Sequence, residues 1–281
     1  IWRSLVGSEM CIRDSIISAG EETKLLNAVL AKRFTCDNIY IGMQHGVLSS
    51  WYNAVLTLDE PVLPNAVSMN LPPSRLSPDR VSEAFAAYLE EGGDHRDNYW
   101  GMILGGDKGA CQYTDDDWQN LAQAMNALAK KNKIKWLVLT TRSTSKRATD
   151  SLLAGLKSRY LESINSYSQR LDDPLPLLAA RTQRIYCSFE QLPILFDVIA
   201  SGCPAIALMP ELAQPNRQIR RFFSVLRQER LLSVASIAEL AEARMARPAR
   251  PLPDLLKRKR QQLFEQWSAH CPSAIHGTQR H

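Results

Sequence analysis

GMILGGDKGA, residues 101–110, is the stretch from which the fold of this chain follows. Met102, Ile103 and Leu104 read as a short buried strand. Gly105, Gly106 and Gly109 break it, and Thr114-Asp115-Asp116-Asp117 opens a helix with a hydroxyl and three acids. A strand that ends in glycines and feeds a helix is how an α/β fold brings backbone N–H groups close to a phosphate. The spacing matches neither the GxxxxGK[ST] of a P-loop nor the GxGxxG of a dinucleotide fold. Taken alone, the loop is equally well a tight strand-to-helix turn, so its meaning depends on its neighbours.

Downstream the alternation continues. Residues 115–131 read as a helix with Leu121, Met125 and Leu128 inward, 134–139 as a strand and 145–158 as a helix. They are followed by a strand at 184–187, a helix at 192–200 and a strand at 205–209. Upstream, 16–17 is the remnant of a strand, and 23–34 is a helix with Leu25, Leu26, Val29 and Leu30 on one face. Residues 38–43 and 51–57 read as strands, and the proline-rich 61–78 as loop. Ser77 and Pro78 then cap and start a helix that runs to about residue 91. Gly92-Gly93-Asp94-His95-Arg96-Asp97-Asn98 is the expected linker. The βαβα order on each side predicts an α/β protein of two facing Rossmann-like domains, each mainly parallel with helices on both faces. The expected division is 16–95, 96–235 and a helical tail at 236–281. Residues 1–15, IWRSLVGSEMCIRDS, resemble the translated read-through of a sequencing adapter and read as a non-native segment. They lack the basic and apolar regions of a signal peptide. On that reading the first domain is truncated at its N-terminus.

Composition narrows the function classes. Hydrophobic residues make up 45% and charged residues 22% of the 281, ordinary values for a globular protein. No apolar run approaches the length of a membrane span. A net charge of +5 suits acidic ligands or membrane surfaces without choosing between them. Six cysteines without CxxC spacing and five histidines without HxxxH argue against a zinc site. Reduced thiols and a cytoplasmic location are the plain expectation.

Two further loops carry chemistry. Thr140-Thr141-Arg142-Ser143-Thr144 follows the strand at 134–139. Its hydroxyls and guanidinium suit an anion, since Arg binds phosphate bidentately. The plainer explanation is helix capping by Ser143 or Ser145 with Arg142 solvated. In DVIASGCPAI, residues 197–206, a helix ends at Gly202 and Pro204 blocks its continuation. Asp197 sits one turn earlier, where a carboxylate accepts hydrogen bonds from ribose hydroxyls. Alternatively it is an exposed acid on a connection.

Together these segments carry a resemblance. GMILGGDKGA resembles the glycine-rich loop opening the second domain of GT-B glycosyltransferases, and DVIASGCPAI their donor-ribose segment. ISAG at 17–20, LGGDKG at 104–109, LVLTTRST at 137–144 and the Asp197 segment occur in the order seen in the elongated-mitochondria (mitochondrial fission ELM) family. That resemblance, over about 16–232, implies a GT-B-like fold whose second domain, 96–235, binds a nucleotide-sugar. It also implies a metal-independent, hexosyltransferase-like enzyme. The donor would be a nucleotide-diphosphate sugar and the acceptor a cell-envelope glycan or lipid-linked molecule, with no cofactor and no metal. It places Gly105, Gly106, Lys108, Thr141, Arg142 and Ser143 against the donor diphosphate and Asp197 on the ribose. Glu190 falls at a position where the family commonly has an acid. Gln191 and Pro193 depart from the serines usual there. The alternative is a non-catalytic interaction protein of the mitochondrial-fission type on the same fold.

An acceptor hydroxyl needs a base. His45, in Gln44-His45-Gly46 at a strand end, is the candidate, although a loop histidine bonded only to backbone is the commoner outcome. Arg217, Arg220, Arg221, Arg227 and Arg230 mark one helix, and Lys257-Arg258-Lys259-Arg260 with Leu256, Leu263, Phe264 and Trp267 another. Solvated faces with the apolar residues packed on the first domain are the favoured reading. Peripheral contact with an anionic inner membrane is the sharper one. Nothing supports nucleic-acid binding, because no aromatic residues interleave with these charges.

Overall fold

The computed structural model describes residues 15–58, 60–69, 74, 76–94, 98–109, 111–166, 173–241 and 253–270. Most of the adapter-like segment, Asp59, Pro72, Pro73, His95, Arg96, Asp97, Ala110, His276 and His281 lie outside them. The chain forms two compact units. One comprises Ile1–Asn70 with Arg258–His281, and the other Leu71–Lys257. The boundary therefore lies upstream of the expected 92–98 linker. The cause is helix α2 (Pro78–Glu90), which packs against α5 (Leu175–Arg181) of the second unit. Ser77 caps α2 as expected, its hydroxyl accepting from the Arg80 N–H at 3.3 Å.

The first unit is a four-stranded parallel sheet in the order β1 (Ile16–Ala19), β2 (Asn38–Ile41), β3 (Ala54–Thr57), β4 (Ala66–Ser68). β4 lies inside the stretch read as loop. At three residues, on the sheet edge and between prolines, it is too short to show a period. Helix α1 (Lys24–Phe34) turns Asn27 and Ala31 to the sheet and leaves Leu25, Leu26 and Val29 exposed. Polar bonds hold it in place. The Asn27 amide donates to the Ser18 hydroxyl at 2.8 Å and the Ile39 carbonyl at 3.0 Å, and its oxygen accepts from Asn38 Nδ2 at 2.8 Å. Asn38 and Asn53 exchange side-chain-to-backbone hydrogen bonds at 3.0 Å, which fixes the β2–β3 approach. Leu263 and Trp267 of α9 (Pro253–Ser268) pack on the Ile39, Leu56 and Val67 cluster of this sheet, while Phe264 is exposed.

The second unit holds six parallel strands in the order β10 (Ser233–Ser236), β9 (Ala205–Met209), β8 (Ile185–Ser188), β5 (Tyr99–Leu104), β6 (Lys135–Thr140), β7 (Leu161–Ser166). Counted from β5, this is the 3-2-1-4-5-6 order of a doubly wound dinucleotide-type sheet, whose direction of winding reverses between β5 and β8. Gly101 pairs with Ile185 there, and an added Cβ would lie 2.8 Å from the Ile185 side chain. Helices α3 (Asp115–Asn132), α4 (Lys146–Gly155) and α8 (Ile237–Ala241) cover one face. Trp118, Leu121, Met125, Leu152, Ile237 and Leu240 pack there with Trp100, Trp136 and Tyr186. Leu178 of α5, Leu195 and Ile199 of α6 (Leu192–Ala200), and Phe222, Phe223 and Leu226 of α7 (Arg217–Gln228) fill the other face. Leu256 joins this second core, and α8 belongs to the unit and not to a tail beginning at 236. The arginines of α7 are exposed opposite its buried phenylalanines. No helix among the described residues is long and apolar enough to cross a membrane.

Candidate functional site

In an open α/β sheet, ligands bind beyond the carboxyl ends of the strands where the winding reverses. Here that place is formed by the loops after β5, β6 and β8. The helix after the first loop starts as read, with Thr114 and Asp117 forming a reciprocal capping box. Ser145 caps α4, accepting from the Ala148 N–H at 3.1 Å, which leaves Ser143 outside the helix.

The three loops are tied together by hydrogen bonds. The Gly105 N–H donates to Ser188 Oγ and the Gly106 N–H to Glu190 Oε1, both at 2.9 Å. Tyr113 Oη donates to Glu190 Oε2 at 2.7 Å, with the Tyr113 ring stacked on Trp118 at 4.7 Å. Thr144 Oγ1 donates to the Leu104 carbonyl at 2.6 Å and accepts from the Thr141 N–H at 2.8 Å. Gln191 Nε2 donates to Ser143 Oγ at 2.7 Å. The glycines are required sterically. A Cβ on Gly105 would stand 1.5 Å from Glu190 Oε1, and one on Gly106 would stand 2.0 Å from the Ser143 carbonyl oxygen. Neither has the positive φ that makes a glycine obligatory for conformational reasons; Gly109, at φ +57°, does.

Glu190 is thus a buried carboxylate, 8% exposed, held by a backbone N–H and a phenol. Its charge is felt nearby. Burial and then the Glu190 charge raise the Tyr113 phenol well above its usual range and push the Cys111 thiol up to about 11. Burial likewise drives the Cys187 thiol upward.

These bonds redistribute the expected roles. The N–H groups of Gly105 and Gly106, expected to face a diphosphate, are committed to Ser188 and Glu190. Lys108 and Arg142 are exposed on the first and second loops and make no ion pair among the described residues. Among the described residues the N–H groups of Arg142 and Ser143 donate to no group, and neither do those of Asp107 and Gly109, so open donors lie on both the β6 loop and the outer part of the glycine loop. Thr141 is buried, with its hydroxyl 3.0 Å from Ser143 Oγ. Asp197, half-buried on α6, accepts a hydrogen bond from the Ser74 hydroxyl. His45 belongs to the first unit. Its side chain is exposed, and its carbonyl accepts from Lys24 Nζ at 2.6 Å.

Tyr113 and Ser188 escaped the sequence reading, because no local pattern marks a residue whose partner is 77 or 83 positions away; Thr144, read as one of the loop's anion-suited hydroxyls, instead bonds the Leu104 carbonyl. Gln191, noted as a departure from the serines of the resembling family, binds Ser143, and Pro193 occupies the first turn of α6 where its missing N–H costs nothing.

The sequence matches the profile of the mitochondrial fission ELM1 family over residues 11–255, and the chain belongs to that family. Comparison with curated proteins finds no match. Among solved structures the fold is similar to Acinetobacter baumannii MurG, at 14% identity over 94% of this chain and 69% of that one, with a TM-score of 0.45. It is also similar to Escherichia coli ADP-heptose LPS heptosyltransferase II, at 13% identity over 90% and 77%, with a TM-score of 0.44. A UDP-forming α,α-trehalose-phosphate synthase of Burkholderia xenovorans matches at 13% identity over 94% and 72%, with a TM-score of 0.44.

Proposed function

We propose that this member of the mitochondrial fission ELM family is a glycosyltransferase. It would hold a nucleotide-diphosphate sugar at the carboxyl ends of β5, β6 and β8 and transfer the sugar to a cell-envelope glycan or lipid-linked acceptor. The observation that carries this reading is the convergence of three loops at the reversal of the sheet, with two exposed cations, Lys108 and Arg142, on two of them. Diphosphate charge is met by these side chains, by the open N–H groups of Arg142 and Ser143, and by the Thr141 and Ser143 hydroxyls. That set stabilises the leaving nucleotide without requiring a metal. Glu190 acts from beneath, fixing the height of the glycine loop. Asp197 exchanges Ser74 for the ribose hydroxyls, and His45 is the base assigned to the acceptor hydroxyl.

The test is titration of the protein with UDP-sugars and other nucleotide-sugars. The reading expects saturable binding that weakens about 10- to 150-fold in Arg142→Ala, the worth of a hydrogen bond to a charged group. Absence of binding by every nucleotide-sugar overturns it. One observation favours a second reading, a non-catalytic interaction protein: α1 exposes Leu25, Leu26 and Val29 beside Ile17 of the edge strand β1. Such contiguous apolar exposure marks contact surfaces. Binding without turnover, with Leu25→Asp and Val29→Asp abolishing a protein complex, would select it.

A further inference from the structure

A second concavity lies at the opposite end of the second unit's strands. A cavity of about 480 Å³ opens at the amino ends of β5 and β6, beside the end of α3. It is bordered by Tyr99, the first residue of β5, whose ring is buried under Arg181, and by the part-exposed Tyr160 of the turn Ser158–Tyr160. Its rim carries Lys130, Lys133, Lys135 and Arg159. All strands of this sheet are parallel, so the cavity is a full strand length from the three loops of the proposed donor site.

Four cations from three elements meet at this mouth. One is neutralised, since Lys135 Nζ pairs with Glu162 Oε2 at 2.8 Å. Lys130 and Lys133 make no ion pair among the described residues. Arg159 lies over the Tyr160 ring, 4.9 Å from its centroid, with no carboxylate partner among them. A lysine in the last turn of α3 complements the helix dipole, which accounts for Lys130. That explanation does not extend to Arg159, which reaches the mouth from the turn before β7. Like charges round one concave opening repel each other and focus their field inside it, so an anion entering is favoured twice. The volume suits a small ligand. Cationic rim and aromatic wall together define its chemistry: a phosphate group with an organic part that lies against a ring.

We propose that this cavity binds a phosphate-bearing ligand, separate from the donor, with the phosphate between Lys130, Lys133 and Arg159 and the remainder against Tyr160. A soluble phosphorylated compound and an anionic lipid headgroup share that chemistry. The argument does not depend on the proposed transferase reaction.

The experiment starts from Arg142→Ala, which weakens phosphate binding at the donor loops, and adds Lys130→Gln and Arg159→Gln. Both residues are exposed, so the fold is not at risk, and an unchanged melting curve checks this. Inorganic pyrophosphate is titrated calorimetrically. In parallel, cosedimentation is measured with phosphatidylcholine vesicles and with vesicles containing about one-third phosphatidylglycerol. Arg142→Ala is expected to bind one of the two probes saturably, and the added substitutions to weaken that binding about tenfold or more. Pyrophosphate binding identifies a soluble phosphate; binding confined to anionic vesicles identifies a headgroup. No binding to either probe, or equal binding with and without the two substitutions, overturns the proposal. Intact donor binding with no cavity binding sinks this inference alone.

Discussion

Gly105→Ala tests the architecture of the loop cluster most directly. The added methyl carbon would meet Glu190 Oε1 at 1.5 Å, its carboxyl carbon at 2.7 Å and Gln191 Nε2 at 2.9 Å. Restoring an ordinary contact near 3.4 Å requires the carboxylate to retreat by about 1.9 Å. Such a movement breaks the bonds from Gly106 N–H and Tyr113 Oη, now 2.9 and 2.7 Å long. Each bond to a charged acceptor is worth about 1.5–3 kcal/mol, so the loss is about 3–6 kcal/mol. For a unit of this size, at about 2–4 °C per kcal/mol, the melting midpoint falls by roughly 6–24 °C. Gly109→Ala is the control. No atom lies within 4 Å of its added Cβ, and only the positive φ penalises it, by about 1–2 kcal/mol. Urea unfolding followed by tryptophan fluorescence reads both, since Trp118 stacks on Tyr113. A cycle with Glu190→Ala isolates the clash. The double variant should be less unstable than the two single losses combined, by about 1 kcal/mol or more. If Gly105→Ala is no worse than Gly109→Ala, or the cycle shows no coupling, the packing of Glu190 under the loop is refuted.

Tyr113→Phe removes one donor to Glu190 while keeping the stack on Trp118. It should cost about 1.5–3 kcal/mol in urea unfolding and weaken nucleotide-sugar binding less than Arg142→Ala does. Asn27→Ala leaves Asn38 Nδ2 with one acceptor fewer and should cost about 1–3 kcal/mol, read as loss of amide protection in β1 and β2. Alkali should weaken the second unit through Cys111. Its thiol ionises near 9 when unfolded and about 11 when folded, so the unfolded chain loses its proton first and stability falls as pH rises from 9 to 11. The contribution is about 2–3 kcal/mol at 1.36 kcal/mol per pH unit, and Cys111→Ala should flatten the alkaline limb of stability against pH by that amount.

Much of the second unit was legible because its central elements follow strong local rules. β5 and β6 are continuous apolar runs, α3 carries an inward stripe at helical spacing, and Thr114 with Asp117 caps it. The missed elements lack such signals. β7, LESINS, is an edge strand with no fully buried residue, and β10 is four residues long. Pro174 and Pro176 obscure the first turn of α5. α1 shows the opposite failure. Its apolar stripe was read correctly as a stripe, yet the sheet is met by Asn27 and Ala31, because the asparagine satisfies strand groups that a leucine would leave unpaired. At the site, Gly105, Gly106, Arg142 and Ser143 were visible as loop chemistry. The commitment of the two glycine N–H groups was not, since it follows from β8 lying beside β5 in space.

That adjacency also sets an order of events in synthesis. Gly105 meets Ser188 across 83 positions of chain, so β5 emerges from the ribosome long before one of its two neighbours exists. At about 5–20 residues per second, the interval is roughly 4–17 s. β6 can pair within it and the side of β5 that awaits β8 cannot, although every residue of β5 is destined for the interior. An unpaired apolar edge is a template for aggregation. The strand that organises the proposed donor site is therefore a vulnerable segment of the nascent chain, where a chaperone's protection would count.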